Sequence, residues 1–162
     1  MKLMIKQGSI LAVIMMLTSI MVQAQNLPES GNIGLRVNFT GQASIEVPYM
    51  LNDTFSLAPY LSLNSTKDQS TNFSLGIRPR YYTSQDRALA TYFTGTLGFS
   101  NTSFSNSNIN SVTNFDLGIG YGAEYFFSDQ FSVSSDANLG TRFGDSDTNI
   151  STIARVSASI YF

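Results

Sequence analysis

The sequence predicts an all-β protein, an eight-stranded antiparallel up-and-down transmembrane β-barrel. Three observations carry that prediction. From residue 32 almost to its end the chain alternates apolar and polar side chains with period two, and no sustained helical period interrupts it. The apolar sides of the strands, taken as one surface, hold no charged residue, whereas the polar sides hold nine. The connections alternate between short segments and longer polar ones, as a barrel with both termini at one end requires.

Composition narrows the function. At 162 residues the chain has room for one domain of ordinary size. Twelve Phe, eight Tyr and only 12% charged residues exclude a long disordered chain. The absence of His excludes Ser–His–Asp triads, His-ligated metals and imidazole bases, and the absence of Cys excludes disulfides, thiolate zinc sites and cysteine nucleophiles. A pI near 4.8 argues against nucleic acid as a partner.

Residues 1–24 read as a cleaved signal peptide. Lys2 and Lys6 form a positive leader, Ile10 to Val22 is an apolar stretch, and Val22-Gln23-Ala24 supplies the small residue before the cut. The apolar run is shorter than the ~20 residues that a membrane-spanning helix needs. Export without Cys means that something other than disulfides must hold the domain. A short periplasmic tether over 25–31 then leads to the barrel, predicted over 32–162.

The strands follow in order. The first, near 32–40, puts Arg36 on its polar side and Phe39 at the end of its apolar side. The second, 42–51, places Glu46 opposite Tyr49. The third, 54–64, carries Tyr60 on the polar side. The fourth, 72–82, alternates Phe73 and Tyr81 against Arg78 and Arg80, and the fifth, 88–100, sets Phe99 against Tyr92. In the sixth, 112–127, Phe115, Leu117, Ile119, Tyr121, Ala123, Tyr125 and Phe127 share one side. Asn114, Asp116, Gly118, Gly120, Gly122, Glu124 and Phe126 share the other. The seventh, 130–143, opposes Asp136 and Arg142 to Phe143. The eighth, 151–162, is the cleanest: Ala154, Val156, Ala158, Ile160 and Phe162 face one way, Arg155, Ser157, Ser159 and Tyr161 the other.

Two closed architectures use such a pattern. A soluble lipocalin-like barrel turns its apolar face inward. A membrane barrel turns it to lipid and fills its interior with the polar face. The polar sides here are rich in Gly, Ser, Asn and Arg, which suits a crowded interior. Tyr49, Tyr81, Tyr125, Phe127 and Phe162 cap the apolar faces at one end, and Phe39, Phe73, Phe99 and Phe143 at the other, as two interfacial girdles. Short turns are expected at Asn52-Asp53, Thr83 to Arg87 and Ser128-Asp129. Longer outer loops are expected at Ser65 to Thr71, Asn101 to Ser111 and Gly144 to Ile150, with a tight connection at Thr40-Gly41. The membrane version is preferred.

On these features the chain resembles the small eight-stranded outer-membrane β-barrels of the OmpX/OmpA-barrel type. The end, Val156-Ser157-Ala158-Ser159-Ile160-Tyr161-Phe162, is similar to the signal read by the barrel assembly machinery, which implies that role for Tyr161 and Phe162. The stretch Gly122 to Ser132 looks like a hairpin common in such barrels. Pro48, Pro59 and Pro79 depart from the pattern; each removes a ladder hydrogen bond, so bulges or kinks are expected there. No peptidoglycan-binding domain is expected after the last strand. The resemblance places the protein in the outer membrane, surrounded by lipid, as a monomer without cofactor. Some barrels of this size are lipid A acylases or deacylases that rely on an active-site His, which this chain lacks, so it is not read as an enzyme.

The candidate site is the lumen network of Arg36, Glu46, Arg78, Arg80, Asp116, Glu124, Asp136, Arg142 and Arg155. It could line a selective or proton-conducting path, or simply fill the interior with paired charges; the second is preferred because eight strands enclose just enough space for side chains. Gly118, Gly120 and Gly122 make room there for Arg, Tyr60, Tyr82 or Tyr92. They are not a nucleotide loop, because the spacing is wrong and no helix follows. Asp145-x-Asp147-x-Asn149 matches the start of a calcium loop but lacks its Gly and its final Glu, so no metal is assigned. The Ser/Asn-rich loop Asn101 to Ser111 is the segment placed to meet an extracellular ligand. The expected role is structural or surface interaction; a narrow solute channel and a soluble periplasmic binder are the alternatives.

Overall fold

The computed structural model describes residues 27–40, 43–86, 88–105 and 110–162; the signal peptide expected over 1–24 lies outside them. Every regular element among the described residues is a strand: β1 (Gly34–Asn38), β2 (Ser44–Glu46), β3 (Tyr49–Asn52), β4 (Phe55–Thr66), β5 (Ser70–Asp86), β6 (Leu89–Phe104), β7 (Val112–Ser128), β8 (Phe131–Gly144) and β9 (Asn149–Tyr161). Neighbours in sequence pair antiparallel from β3 through β9. The ring closes where β9 meets β1, with Gly34 opposite Tyr161 and Asn38 opposite Ser157. Strands β2 and β3 are two halves of one stave, since both hold a common register on β4, Glu46 opposite Tyr60 and Tyr49 opposite Leu57. The sheet is therefore a closed eight-stave antiparallel barrel without a free edge, in which ladder N–H and C=O groups find partners on both sides.

Of the three prolines expected to disturb their strands, only Pro48 interrupts one; β4 and β5 run unbroken through Pro59 and Pro79. Pro48 divides β2 from β3, and Pro59 lies opposite Val47 on β4, so two donors are lost at one height. The Val47 N–H still reaches the Pro59 carbonyl at 2.9 Å, and the Pro48 carbonyl accepts the Gly34 N–H at 2.8 Å. Pro79 silences the β5–β6 ladder between Ile77–Leu97 and Arg80–Thr94 without shifting register, and its ring sits 3.1 Å from where a Cβ on Gly95 would project. The register shifts lie instead at Met50/Asn52, Tyr82/Ser84 and Phe126/Ser128. All three are next to tight turns, where a bulge adds the twist that a turn needs.

Several strands also run past their expected ends. Ser65 pairs with Thr71 and Thr66 with Ser70, leaving only Lys67-Asp68-Gln69 as a turn, with Asp68 at a φ of 60°. Thr83 to Asp86 belong to β5 rather than to a turn, and β6 continues to Phe104. Hydroxyl and amide contacts hold these extensions, such as Ser65 to Thr71 at 2.9 Å and Asn101 to Thr113 at 3.0 Å. At the outer extensions most side chains on both faces are polar, so the hydrophobic period fades while the backbone ladder continues.

The barrel is inverted relative to a water-soluble one. Its outward residues include Ile119 at 72%, Ile150 at 71% and Leu63 at 68% exposure, whereas Arg36 and Glu124 are completely buried inside. Rings gather outside near both rims: Phe127 contacts Tyr125 and Phe131 toward the lower end, and Phe115 contacts Phe99 and Phe143 toward the upper. Here the lower end is the one holding Leu27 and Phe162, and the upper end carries the 67–69 and 145–148 connections. Inside, glycine provides room for aromatic side chains. A Cβ on Gly76 would stand 2.6 Å from the Tyr60 ring and would also strike the Leu97 carbonyl. Gly76→Val should therefore destabilise the barrel by about 1–3 kcal/mol through overpacking, measured as a lower urea midpoint in lipid vesicles. The same change at Gly140, where nothing approaches closer than 3.4 Å, should shift the midpoint far less.

Candidate functional site: the polar lumen

Seven of the nine lumen charges form one continuous chain of ion pairs across the barrel. Its order is Arg78, Glu46, Arg36, Glu124, Arg80, Asp136, Arg155. Glu46 is shared by Arg78 and by Arg36 at 3.3 Å. Glu124 lies 3.8 Å from Arg36 and 2.9 Å from Arg80, and Asp136 lies 3.6 Å from Arg80 and 2.9 Å from Arg155. Asp116 and Arg142 stand apart as a pair at 2.6 Å, the arginine 46% exposed. Alternating strand geometry aims all nine inward, and closure brings together residues as far apart in sequence as Arg36 and Glu124.

Neutral groups complete the network. The Tyr82 hydroxyl donates to Glu124 at 2.8 Å, and the Tyr92 hydroxyl donates to Asp136 at 3.0 Å. Tyr161 accepts from Arg36 at 2.9 Å and donates to Glu124 at 3.1 Å, so it braces the two charges it touches. Ser159 accepts the Arg36 Nε–H at 2.9 Å. The Arg78 and Arg80 guanidiniums lie 4.0 and 4.1 Å over the Tyr60 and Tyr92 rings, an attractive cation–π placement. Buried charges are tolerable because nearly every lone pair and proton is matched.

Below the charge chain the lumen is closed by apolar side chains. Leu27, Met50, Tyr82, Ala90, Tyr92, Phe126 and Tyr161 form a single buried cluster. Leu27 comes from the tether segment, which folds against the barrel through a hydrogen bond from the Gly31 N–H to the Met50 carbonyl at 2.8 Å. Above the chain a cavity of about 320 Å³ remains, walled by Ser, Thr and Asn side chains together with Tyr60, Arg78, Asp116, Arg142 and Arg155. The lumen is thus a cup with a charged floor over an aromatic base.

The aromatic base is only partly legible in sequence. Its local signals are Tyr82, Tyr92, Phe126 and Tyr161, aromatics on otherwise polar faces, and Met50 on the Glu46 side of its strand; Leu27, outside the strands, gives none. Of the three lumen glycines, Gly122 makes room for Tyr92, whose ring stands 2.9 Å from the Cβ position, and Gly120 for Asn138. Tyr60 is accommodated by Gly76 and Gly98 instead. Asp145 accepts the Thr113 N–H at 2.9 Å, and no acidic cluster able to hold a metal occurs among the described residues. The centre of the Asn101 to Ser111 loop, residues 106–109, lies outside the described residues.

An inverted, closed, eight-stave barrel with girdles and a polar interior is the architecture of an integral outer-membrane protein. Residues 10–162 match the family model described as outer membrane protein beta-barrel domain, and the chain belongs to that family. Its structure is similar to the N-terminal β-barrel domain of Pseudomonas aeruginosa OprF, with a TM-score of 0.65, 16% identity, and coverage of 82% of this chain and 98% of that one. It is also similar to neisserial surface protein A (0.53; 14%; 80% and 92%) and to Ail, the attachment invasion locus protein of Yersinia pestis (0.52; 13%; 82% and 99%). At these identities the likeness shows the fold. No curated protein matches the chain in sequence.

Proposed function

We propose that the protein is a non-enzymatic, non-conducting barrel of the outer membrane, with a structural or surface-interaction role exercised through its upper rim. The observation that carries this reading is the occlusion of the lumen. At one level or another Arg36, Glu46, Met50, Glu124, Phe126 and Tyr161 are each buried to within 1% of completely. Eight strands leave just enough interior for side chains, and here the side chains use it. The upper rim, with extended Ser-, Thr- and Asn-rich strand ends, is the surface offered to the exterior once residues 1–24 have directed export.

Two measurements test this. Unboiled protein in SDS should migrate ahead of boiled protein, since a barrel whose ladder has no edge resists the detergent. Planar bilayers containing the protein should show no steady unitary current steps. Steps would replace this reading with the narrow-channel one, and recovery of the protein from the soluble periplasm without detergent would replace it with a periplasmic binder.

A further inference from the structure

We propose that the upper cup is a binding site for small, multiply charged oxyanions, bearing phosphate or carboxylate groups, that enter from outside. The inference rests on the occluded-lumen reading, because a dead-ended cavity retains a solute that a channel would pass on.

The charge count points to an anion. Three guanidiniums, those of Arg78, Arg142 and Arg155, line the cup, against the single carboxylate of Asp116. Arg78 and Arg155 are the two ends of the ion-pair chain, which holds four arginines and three carboxylates and so carries one positive charge in excess. Each end arginine shares its carboxylate with an inner arginine. A dead-ended cleft with low-dielectric walls focuses such a field rather than dissipating it.

The donors point the same way. The Arg78 Nε–H is buried without a hydrogen-bond partner. Arg142 gives its Nε–H to Asp116, and its two Nη groups make no hydrogen bond among the described residues. Arg155 gives its Nε–H to Asp136 at 2.9 Å and its Nη2 to Asn138 at 2.7 Å, which leaves Nη1, 3.4 Å from Thr96, as its loosely held donor. Guanidinium N–H groups left unused or loosely held, as on Arg142, Arg78 and Arg155, match the oxygens of phosphate and carboxylate groups. The volume of about 320 Å³ is in the range that holds a small ligand. The fixed side of the site is firm: the Arg78 guanidinium rests 4.0 Å over Tyr60, whose ring is locked between Gly76 and Gly98.

The experiment is calorimetric titration of the full barrel, in a zwitterionic detergent at low ionic strength, with inorganic pyrophosphate and with glucose as an uncharged control. Pyrophosphate should bind and glucose should not, and added salt should weaken the binding. Arg142→Gln, at the half-exposed mouth, should weaken it about tenfold, as expected for one lost charge-assisted contact. Asp116→Asn should strengthen it several-fold by removing the one opposing charge and freeing Arg142. Both variants should keep the unboiled fast-migrating band, so a folding defect would be visible. No heat with pyrophosphate at about 1 mM, or equal affinity in Arg142→Gln, would overturn the cup as a site while leaving the occluded barrel standing. Current steps in planar bilayers would overturn the occluded reading, and with it a dead-ended site.

Discussion

Glu124→Leu should lower the stability of the barrel by about 3–5 kcal/mol, the cost of leaving buried charge uncompensated. The Glu124 side chain is wholly inaccessible and receives hydrogen bonds from Arg80, Tyr82, Tyr161 and Ser132. Its removal leaves Arg80 with Asp136 at 3.6 Å as its nearest remaining carboxylate, and leaves two tyrosine hydroxyls without their acceptor. The control is Asp116→Ala, which breaks an ion pair of similar length where the arginine is 46% exposed. An exposed pair is worth about 1 kcal/mol or less. Urea unfolding of both variants in lipid vesicles, followed by the unboiled gel band, should show a large midpoint shift for the first and a small one for the second. Equal shifts would mean that burial does not govern the network.

Ile119→Arg should destabilise the inserted barrel by about 2–4 kcal/mol, because it places a charge on the lipid face near mid-membrane. Ile119 lies halfway along β7, on the same face as Leu117 and Tyr121, and is 72% exposed. Ile150 is exposed to the same degree, 71%, but stands at the start of β9 near the upper rim. There the same change should cost about 0–1 kcal/mol, since the arginine reaches the interface. The contrast is specific to a membrane barrel, because in water neither position would penalise a charge. The readout is the folded fraction recovered in lipid vesicles across a urea series.

The lesson from sequence is uneven along the chain. Alternation located the middle of every stave, since one face meets lipid and the other a crowded interior, and that contrast is written residue by residue. It failed at the outer ends, as in Ser65 to Thr71, where most side chains on both faces are polar and only backbone pairing marks the strand. It also misjudged two of the prolines: Pro48 does interrupt its stave, but at Pro59 and Pro79 the strand runs on in register, because the neighbouring pairs are already set by the closed ring.

What the sequence by itself determined is segregation: eight alternating staves, charge confined to one side, aromatic rings near the rims, and from these the outer membrane as the setting. Only the tertiary structure decided which charges meet. That Arg36 lies between Glu46 and Glu124, and that Tyr161 braces the contact, depends on strand stagger around the ring, which relates residues distant in sequence. The same stagger brings Leu27, Met50 and Phe126 together in the base and leaves Arg78, Arg142 and Arg155 around a cavity. Periodicity is a local property and reports which way a side chain points. Its height in the barrel, and therefore its partner, is fixed by closure.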